Sequence, residues 1–242
     1  MSITIAQATD LHLDDFMAKG TGIDSRRKAL KILEAIEEQG INALVLTGDL
    51  GLPGSQSWLL DAIAAHNLSP LFVLGNHDKL ADFRSLAEVS DFIKPDGLYY
   101  SQIMGEVSCI FLDSSQGQID GEQLSWLKSR IDEEVSDVVV FTHYPVLDCG
   151  QTCMDRLYPL KSRDRLLEVF EKSSRRVSIF CGHYHTTHEQ SLGSISQYVT
   201  PSTLLQIRQH SDGVEIESKD FGYRLIRFSA DEINTEVVLF NP

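Results

Sequence analysis

A chain of 242 residues can bury a sizeable core and lies near the upper end of ordinary single domains. Its 35 acidic against 21 basic side chains leave a formal charge of −14, which excludes nonspecific binding to a nucleic-acid backbone, because that needs a basic surface. No run approaches the roughly 18 apolar residues of a membrane helix, the amino terminus lacks a signal peptide's basic region and cleavage site, and the four cysteines form no CxxC pair, so a cytoplasmic protein with neither a nucleic-acid nor a membrane partner is expected.

The first apolar run, Ile3 to Thr9, reads as a buried strand and ends on Asp10 and His12. Asp24 and Ser25 can cap a helix whose Ala29, Ile32, Leu33 and Ile36 share one face, and Gly40 stands where a left-handed stop is expected. That helix makes a crossover to a second strand, Ala43 to Thr47, which ends on Asp49. Leu71 to Leu74 ends on Asn76 and His77. Two strand-like runs between Gly97 and Asp113 flank Gly105 and Glu106 and read as a hairpin. Asp120 with Gln123 resembles a capping pair ahead of Leu124, Leu127 and Ile131 at helical spacing. Val138 to Thr142 then ends on His143, a helical pattern recurs at Leu166 to Phe170, and Val177 to Cys181 ends on His183 and His185. Beyond His188 helices nearly vanish. Ser194 to Val199, Leu204 to Gln209, Val214 to Glu217, Tyr223 to Phe228 and Thr235 to Phe240 are short strand candidates and imply a second sheet.

Five apolar runs thus end on metal-ligand types of residue, and in open α/β sheets ligands gather outside the carboxyl ends of strands. The clusters span Asp10 to His185, so any cut between them would split one site, and a single domain over 1–242 is expected. DxH places Asp10 and His12 on one side of an extended segment, and GHYH does the same for His183 and His185. Asp10, His12, Asp49, Asn76, His143, His183 and His185 are too many ligands for one tetrahedral zinc. They suit two ions sharing a carboxylate. Imidazole, carboxylate and amide donors without thiolate favour Mn, Fe or Zn in divalent or trivalent form. Two ions about 3.5 to 4 Å apart stabilise the attacking and leaving oxygens of a phosphoryl displacement.

DLH at Asp10 to His12, GD at Gly48 and Asp49, GNHD at Gly75 to Asp78, HxP at His143 to Pro145 and GHxH at Gly182 to His185 resemble, in order, the signature of the calcineurin-like metallophosphoesterases. GIDS near Gly22, LDSS at Leu112 to Ser115, CMD at Cys153 to Asp155, TPST at Thr200 to Thr203 and GYR at Gly222 to Arg224 extend the resemblance to the class III cyclic nucleotide phosphodiesterase branch. FTHYP is poorer in histidine than that branch, and Pro53 and Gly54 stand where an acidic residue often follows GD; both departures bear on substrate rather than on metal.

The resemblance implies a four-layer α/β/β/α sandwich of two mixed sheets flanked by helices, and hydrolysis of 3′,5′-cyclic nucleotides or similar small phosphodiesters by hydroxide held on two metal ions. It assigns Asp10, His12 and His185 to one ion, Asn76, His143 and His183 to the other, and Asp49 to both. His77 would be catalytic, stabilising charge or protonating the leaving oxygen, with Asp78 orienting its ring, and Asn76, His77 and His185 would bind substrate. A homodimer is compatible with this reading. Another small-phosphoester or nucleotide pyrophosphate hydrolase of the superfamily, or a metal-binding scaffold without turnover, is the alternative.

Elsewhere the plainer readings apply. Asp113 supports a strand end, Arg156, Lys161, Arg163 and Arg165 form a solvated helix face, His66, His188 and His210 lie at the surface, and Asp14 and Asp15 are solvated. Tyr144 and Tyr184 adjoin ligands and either pack as wall or meet a base. Cys149 and Cys153 share a loop but match no redox or zinc spacing, so inert thiols are expected.

Overall fold

The computed structural model describes residues 3–84, 91–95, 97–134, 136–150, 152–173, 175–229 and 232–242. Strand β1 (Ile3–Ala8) leads through helices α1 (Phe16–Thr21) and α2 (Ser25–Glu38) to β2 (Ala43–Thr47), and α3 (Ser55–Ala65) leads on to β3 (Ser69–Val73). α4 (Leu80–Phe83) precedes the hairpin β4 (Tyr100–Met104) and β5 (Val107–Phe111). Then follow α5 (Gly121–Glu133), β6 (Val138–Phe141), α6 (Cys153–Leu157), α7 (Arg163–Lys172) and β7 (Val177–Cys181). Six strands complete the chain: β8 (His188–Leu192), β9 (Ile195–Val199), β10 (Gln206–Ile207), β11 (Ile216–Ser218), β12 (Phe221–Phe228) and β13 (Ile233–Phe240).

Two mixed sheets result, with strand orders β13-β12-β1-β2-β3 and β4-β5-β6-β7-β9-β8. The parallel register of β1 with β2 (Gln7 opposite Val45) is the one the crossover helix dictates. Asp24 caps α2 by accepting the Arg27 N–H, Ala29, Ile32, Leu33 and Ile36 are buried against the first sheet, and Gly40 takes a left-handed φ of 68°. The expected second sheet is present, but the carboxyl-terminal strands do not found it: only β10 and β11 stand apart as a sheet of their own, a two-stranded antiparallel ribbon. β12 and β13 instead extend the first sheet beside β1, with Ile5 opposite Ile226, while β9 and β8 extend the second. The second sheet is founded on the hairpin, β6 and β7, which the alternation of apolar runs alone could not divide from β1 to β3.

The central strands of the second sheet are buried on both faces, and their side chains divide by period two. Ile110, Val138, Val140, Val177 and Ile179 pack outward under Leu124, Leu127 and Ile131 of α5 and Leu166 and Phe170 of α7. Cys109, Phe111, Val139, Phe141 and Phe180 face the first sheet. Tyr100, Phe111, Phe141, Phe180 and Tyr198 stand opposite one another on successive strands and stack with centroids 4.5, 5.1, 5.6 and 4.9 Å apart. Such pairs contribute about 0.5 to 1.5 kcal/mol each beyond their buried area, and the ladder fixes β6 and β7 within three residues of His143 and His183. The Arg224 guanidinium, fully buried, lies 5.5 Å over Tyr198 and donates to Thr200 Oγ1, the Val199 carbonyl and Glu189, locking β12 of one sheet to β8 and β9 of the other. None of the described helices is long and apolar enough to cross a membrane.

Candidate metal centre

Two residues beyond the ends of β1, β2, β6 and β7 stand Asp10, Asp49, His143 and His183. The loops that carry them are knitted together by backbone: Asp10 N–H donates to the Gly48 carbonyl and His12 N–H to that of Asp49, while Gly182 N–H donates to the His143 carbonyl. Asp10, His12, Asp49, His183 and His185 all have positive φ, between 47° and 67°. Left-handed backbone at residues other than glycine is uncommon and clusters at functional sites. Glycine is required beside them for a second reason. A Cβ on Gly75 would collide with the backbone and carboxylate of Asp49, and one on Gly182 with Thr9 Oγ1 and the Asp10 carboxylate.

These loops gather two groups of buried donors. Asp10, His12 and His185 form one and Asp49, His143 and His183 the other, with ligand atoms inside each group within 4.8 Å of one another. Asp49 Oδ2 lies between them, 3.4 Å from His143 Nε2 and 3.7 Å from His12 Nε2, and Asn76 Oδ1 is 3.2 Å from His143 Nε2. Every group draws on both sheets. The outward nitrogens are already committed: His143 Nδ1 lies 2.8 Å from the Thr47 carbonyl, His185 Nδ1 3.2 Å from that of Leu205 and His183 Nε2 3.2 Å from that of Tyr158. That leaves the other ring nitrogens for the cavity, the arrangement in which metal-binding histidines are held.

The fit to a cation can be tested on Asp10. Its Oδ2 accepts from Thr9 Oγ1 and His183 N–H, whereas its Oδ1 is buried with no hydrogen-bond partner among the described residues, 3.3 Å from His185 Nε2 and 4.0 Å from His143 Nε2. A buried, unpartnered carboxylate oxygen amid imidazole nitrogens is costly unless a cation completes it. The donor set fits. Burial raises the Asp10 pKa, but His185 and His143 more than offset this and hold it at about 2. Burial also raises Asp49, and His143, His12 and His77 together carry it well below the usual carboxylate range. Burial lowers His143, yet Asp49 and Asp10 push it up to about 9, while burial and its neighbour His143 bring His183 down to about 3.

His77 stands at the rim with its ring a third exposed and Nε2 3.9 Å from Asp49 Oδ2; its backbone N–H donates to Asp49 Oδ1. Asp78 does not orient that ring as expected. Its carboxylate accepts the backbone N–H groups of Asp49, Leu50 and Gly75 and so clamps the second and third ligand loops together. Burial and the Asp49 charge raise its pKa to about 7 against those amides. Asp15 is likewise not solvated: buried, it places Oδ2 2.6 Å from His12 Nδ1, and Oδ1 caps α1 through Met17 N–H and Ala18 N–H. A carboxylate three residues beyond a DxH histidine was the available signal. Arg163 leaves the expected solvated face to pair with Asp155 and Asp148, whereas Asp113 does support a strand end, accepting from Leu98 and Ser115 N–H. Tyr144 packs its ring 3.9 Å from that of His183, and all four cysteines are free and buried.

Comparison with known proteins agrees with this arrangement. Residues 3–187 match the family model described as calcineurin-like phosphoesterase. The chain is 29% identical to a probable cyclic nucleotide phosphodiesterase of Fibrobacter succinogenes, covering 99% of this chain and 94% of that protein. It is 26% identical to the 3′,5′-cyclic adenosine monophosphate phosphodiesterase CpdA of Vibrio vulnificus, over 98% of this chain and 89% of the relative. A dimetal phosphatase from Danio rerio shares the fold with a TM-score of 0.72 at 14% identity, covering 99% of this chain and 98% of its own. With its two-sheet sandwich and its ligand-bearing loops, the chain belongs to the calcineurin-like phosphoesterase family.

Proposed function

We propose that residues 1–242 act as one catalytic unit, a metal-dependent phosphoric diester hydrolase of 3′,5′-cyclic nucleotides, with cyclic AMP the foremost substrate. The orphaned Asp10 Oδ1 between two cross-sheet donor groups is the observation that carries metal dependence. The names of the full-length relatives support the cyclic nucleotide. Asp10, His12 and His185 would hold one ion, Asn76, His143 and His183 the other, and Asp49 both; Mn, Fe or Zn in this setting supplies positive charge to phosphate oxygens and an activated water.

The chain's own groups do the rest. His77, reachable from solvent yet tied by its N–H to Asp49, is placed to hand a proton to the leaving alkoxide of the ribose. Asn76, next to it in the chain, and His185, whose ring lies 5.0 Å from that of His12, would be phosphate contacts, Asp15 holds the His12 ring, and Asp78 holds the Asp49 loop as a positioning residue. Among the described residues the cationic partners of Asp10 and Asp49 are imidazoles alone, so at these carboxylates no guanidinium or ammonium stands ready to meet the extra charge of a terminal phosphate. A singly charged small diester is therefore favoured over monoesters, and the net charge of −14 repels polyanions. All seven donors come from one chain, so a homodimer is compatible with activity but not required by the site. The test is metal analysis of purified protein with kinetics on bis(4-nitrophenyl) phosphate, 4-nitrophenyl phosphate, cyclic AMP and a polynucleotide. A higher kcat/KM for the monoester or the polynucleotide than for every small diester overturns the reading.

A further inference from the structure

Phe16 is the most solvent-exposed large hydrophobic side chain among the described residues, at 67% of its surface, yet it stands at the metal centre. Its ring centroid lies 5.5 Å from that of His77 at a 45° tilt, and the His77 ring lies 5.2 Å from that of His12. The residues around it are fixed. Asp15 caps the helix at Met17 and Ala18 with one oxygen while its other oxygen meets His12, and Met17 and Ala18 pack with Ile23, Tyr184 and Leu204. The backbone that carries Phe16 is thus held in register with the ligand loop, while its ring is left bare toward water.

We infer that Phe16 is the platform on which the nucleobase of the substrate stacks while its cyclic phosphate sits at the Asp10 to His185 donors. An exposed aromatic face on an anchored backbone, 5.5 Å from the His77 ring whose Nε2 is 3.9 Å from Asp49 Oδ2, presents a flat apolar surface that a ribose could bridge to a phosphate held at these donors. Every base has a π-face, so such a platform confers affinity for the base without choosing its identity. This rests on the diester hydrolase reading and adds the group that selects nucleotides from other small diesters.

The experiment compares wild type with Phe16→Ala, Phe16→Leu and Phe16→Trp on cyclic AMP and on the methyl riboside 3′,5′-cyclic phosphate, which lacks the base. The ratio of kcat/KM between the two substrates should fall roughly 5- to 50-fold in the Ala and Leu variants, through KM for cyclic AMP, and recover in the Trp variant. A kcat loss of equal size on both substrates would make Phe16 a support for His77 and overturn the platform. So would a loss of the same ratio in Tyr158→Ala but not in Phe16→Ala, since Tyr158 is a second bare aromatic near the centre, 51% exposed, with its backbone carbonyl 3.2 Å from His183 Nε2. If wild type cleaves neither cyclic compound, the diester reading has failed separately. Inhibition by AMP against ribose 5-phosphate then decides the platform: an AMP preference that Phe16→Ala abolishes supports it, and equal inhibition of wild type overturns it.

Discussion

Removing the Asp15 carboxylate should weaken one metal ion and leave the other. The group makes three contacts, buried ones from Oδ2 to His12 Nδ1 at 2.6 Å and from Oδ1 to Ala18 N–H at 3.0 Å, and a half-buried one from Oδ1 to Met17 N–H at 2.8 Å. Loss of the cap costs about 1 kcal/mol, which for a chain of this length lowers Tm by about 2 to 4 °C. Loss of a carboxylate behind a ligand histidine lowers metal affinity by roughly 10- to 100-fold. Asp15→Ala should show both effects. Asp15→Asn offers one oxygen where two are used, so it can cap α1 or hold His12 but cannot do both. Calorimetric titration of chelated protein with Mn(II), alongside thermal melts, separates the two. The weakened ion should be the one assigned to Asp10, His12 and His185. Equal affinity of Asp15→Ala and wild type for both ions, with only Tm lowered, would show that the His12 contact does nothing for the site.

Asp49→Ala should lose both ions more readily than any other single ligand change, and elemental analysis finding fully active enzyme with only one ion per chain would refute the shared carboxylate. Gly75→Ala should do nearly as much harm without removing a donor, because its Cβ must displace Asp49; retained two-ion occupancy would contradict the packing. His77→Ala should keep both ions and lose on the order of 10²- to 10⁴-fold on cyclic AMP but less on bis(4-nitrophenyl) phosphate, whose leaving group needs little protonation; equal losses exclude the proton-donor role. In chelated protein, His143 is raised from the ordinary 6.5 to about 9, where burial lowers it but Asp49 and Asp10 prevail. Its stabilisation is then fully present below pH 6.5 and lost as pH climbs through about 9. A Tm that does not fall across that window tells against the pairing.

Much of the site could be read from spacing, because each apolar run had to end somewhere and each ended on a donor. The division into sheets could not. Ile3 to Thr9 and Val138 to Thr142 look alike as sequence, and only long-range pairing puts Ile5 beside Ile226 and Phe141 beside Phe180. The strand β8 escaped notice because at the exposed sheet edge its residues show no apolar run, and α3 because its glycine cap offers no side chain as a signal. Asp78, expected to orient the His77 ring, instead meets three backbone amides, and Asp15 was misjudged for a different reason. A carboxylate in a loop reads as solvated until the folded chain shows which buried imidazole or amides it meets.

The left-handed backbone at Asp10, His12, Asp49, His183 and His185 was likewise invisible, since that region is a minority one even for aspartate and histidine and nothing in the sequence marks which of them enter it. Each such residue costs on the order of 1 to 3 kcal/mol, and that strain cannot be met within one loop. It is met by contacts that cross between sheets: Thr203 N–H to the Thr9 carbonyl, His183 N–H to Asp10 Oδ2, and Gln7 donating to Thr47 Oγ1 of its own sheet and the Cys181 carbonyl of the other. Since either ion group takes donors from both sheets, the site exists only when the sheets are docked. Metal binding then reports on that docking, and weakening the aromatic ladder beneath the ligand loops, by Phe141→Ala for example, should loosen both ions together.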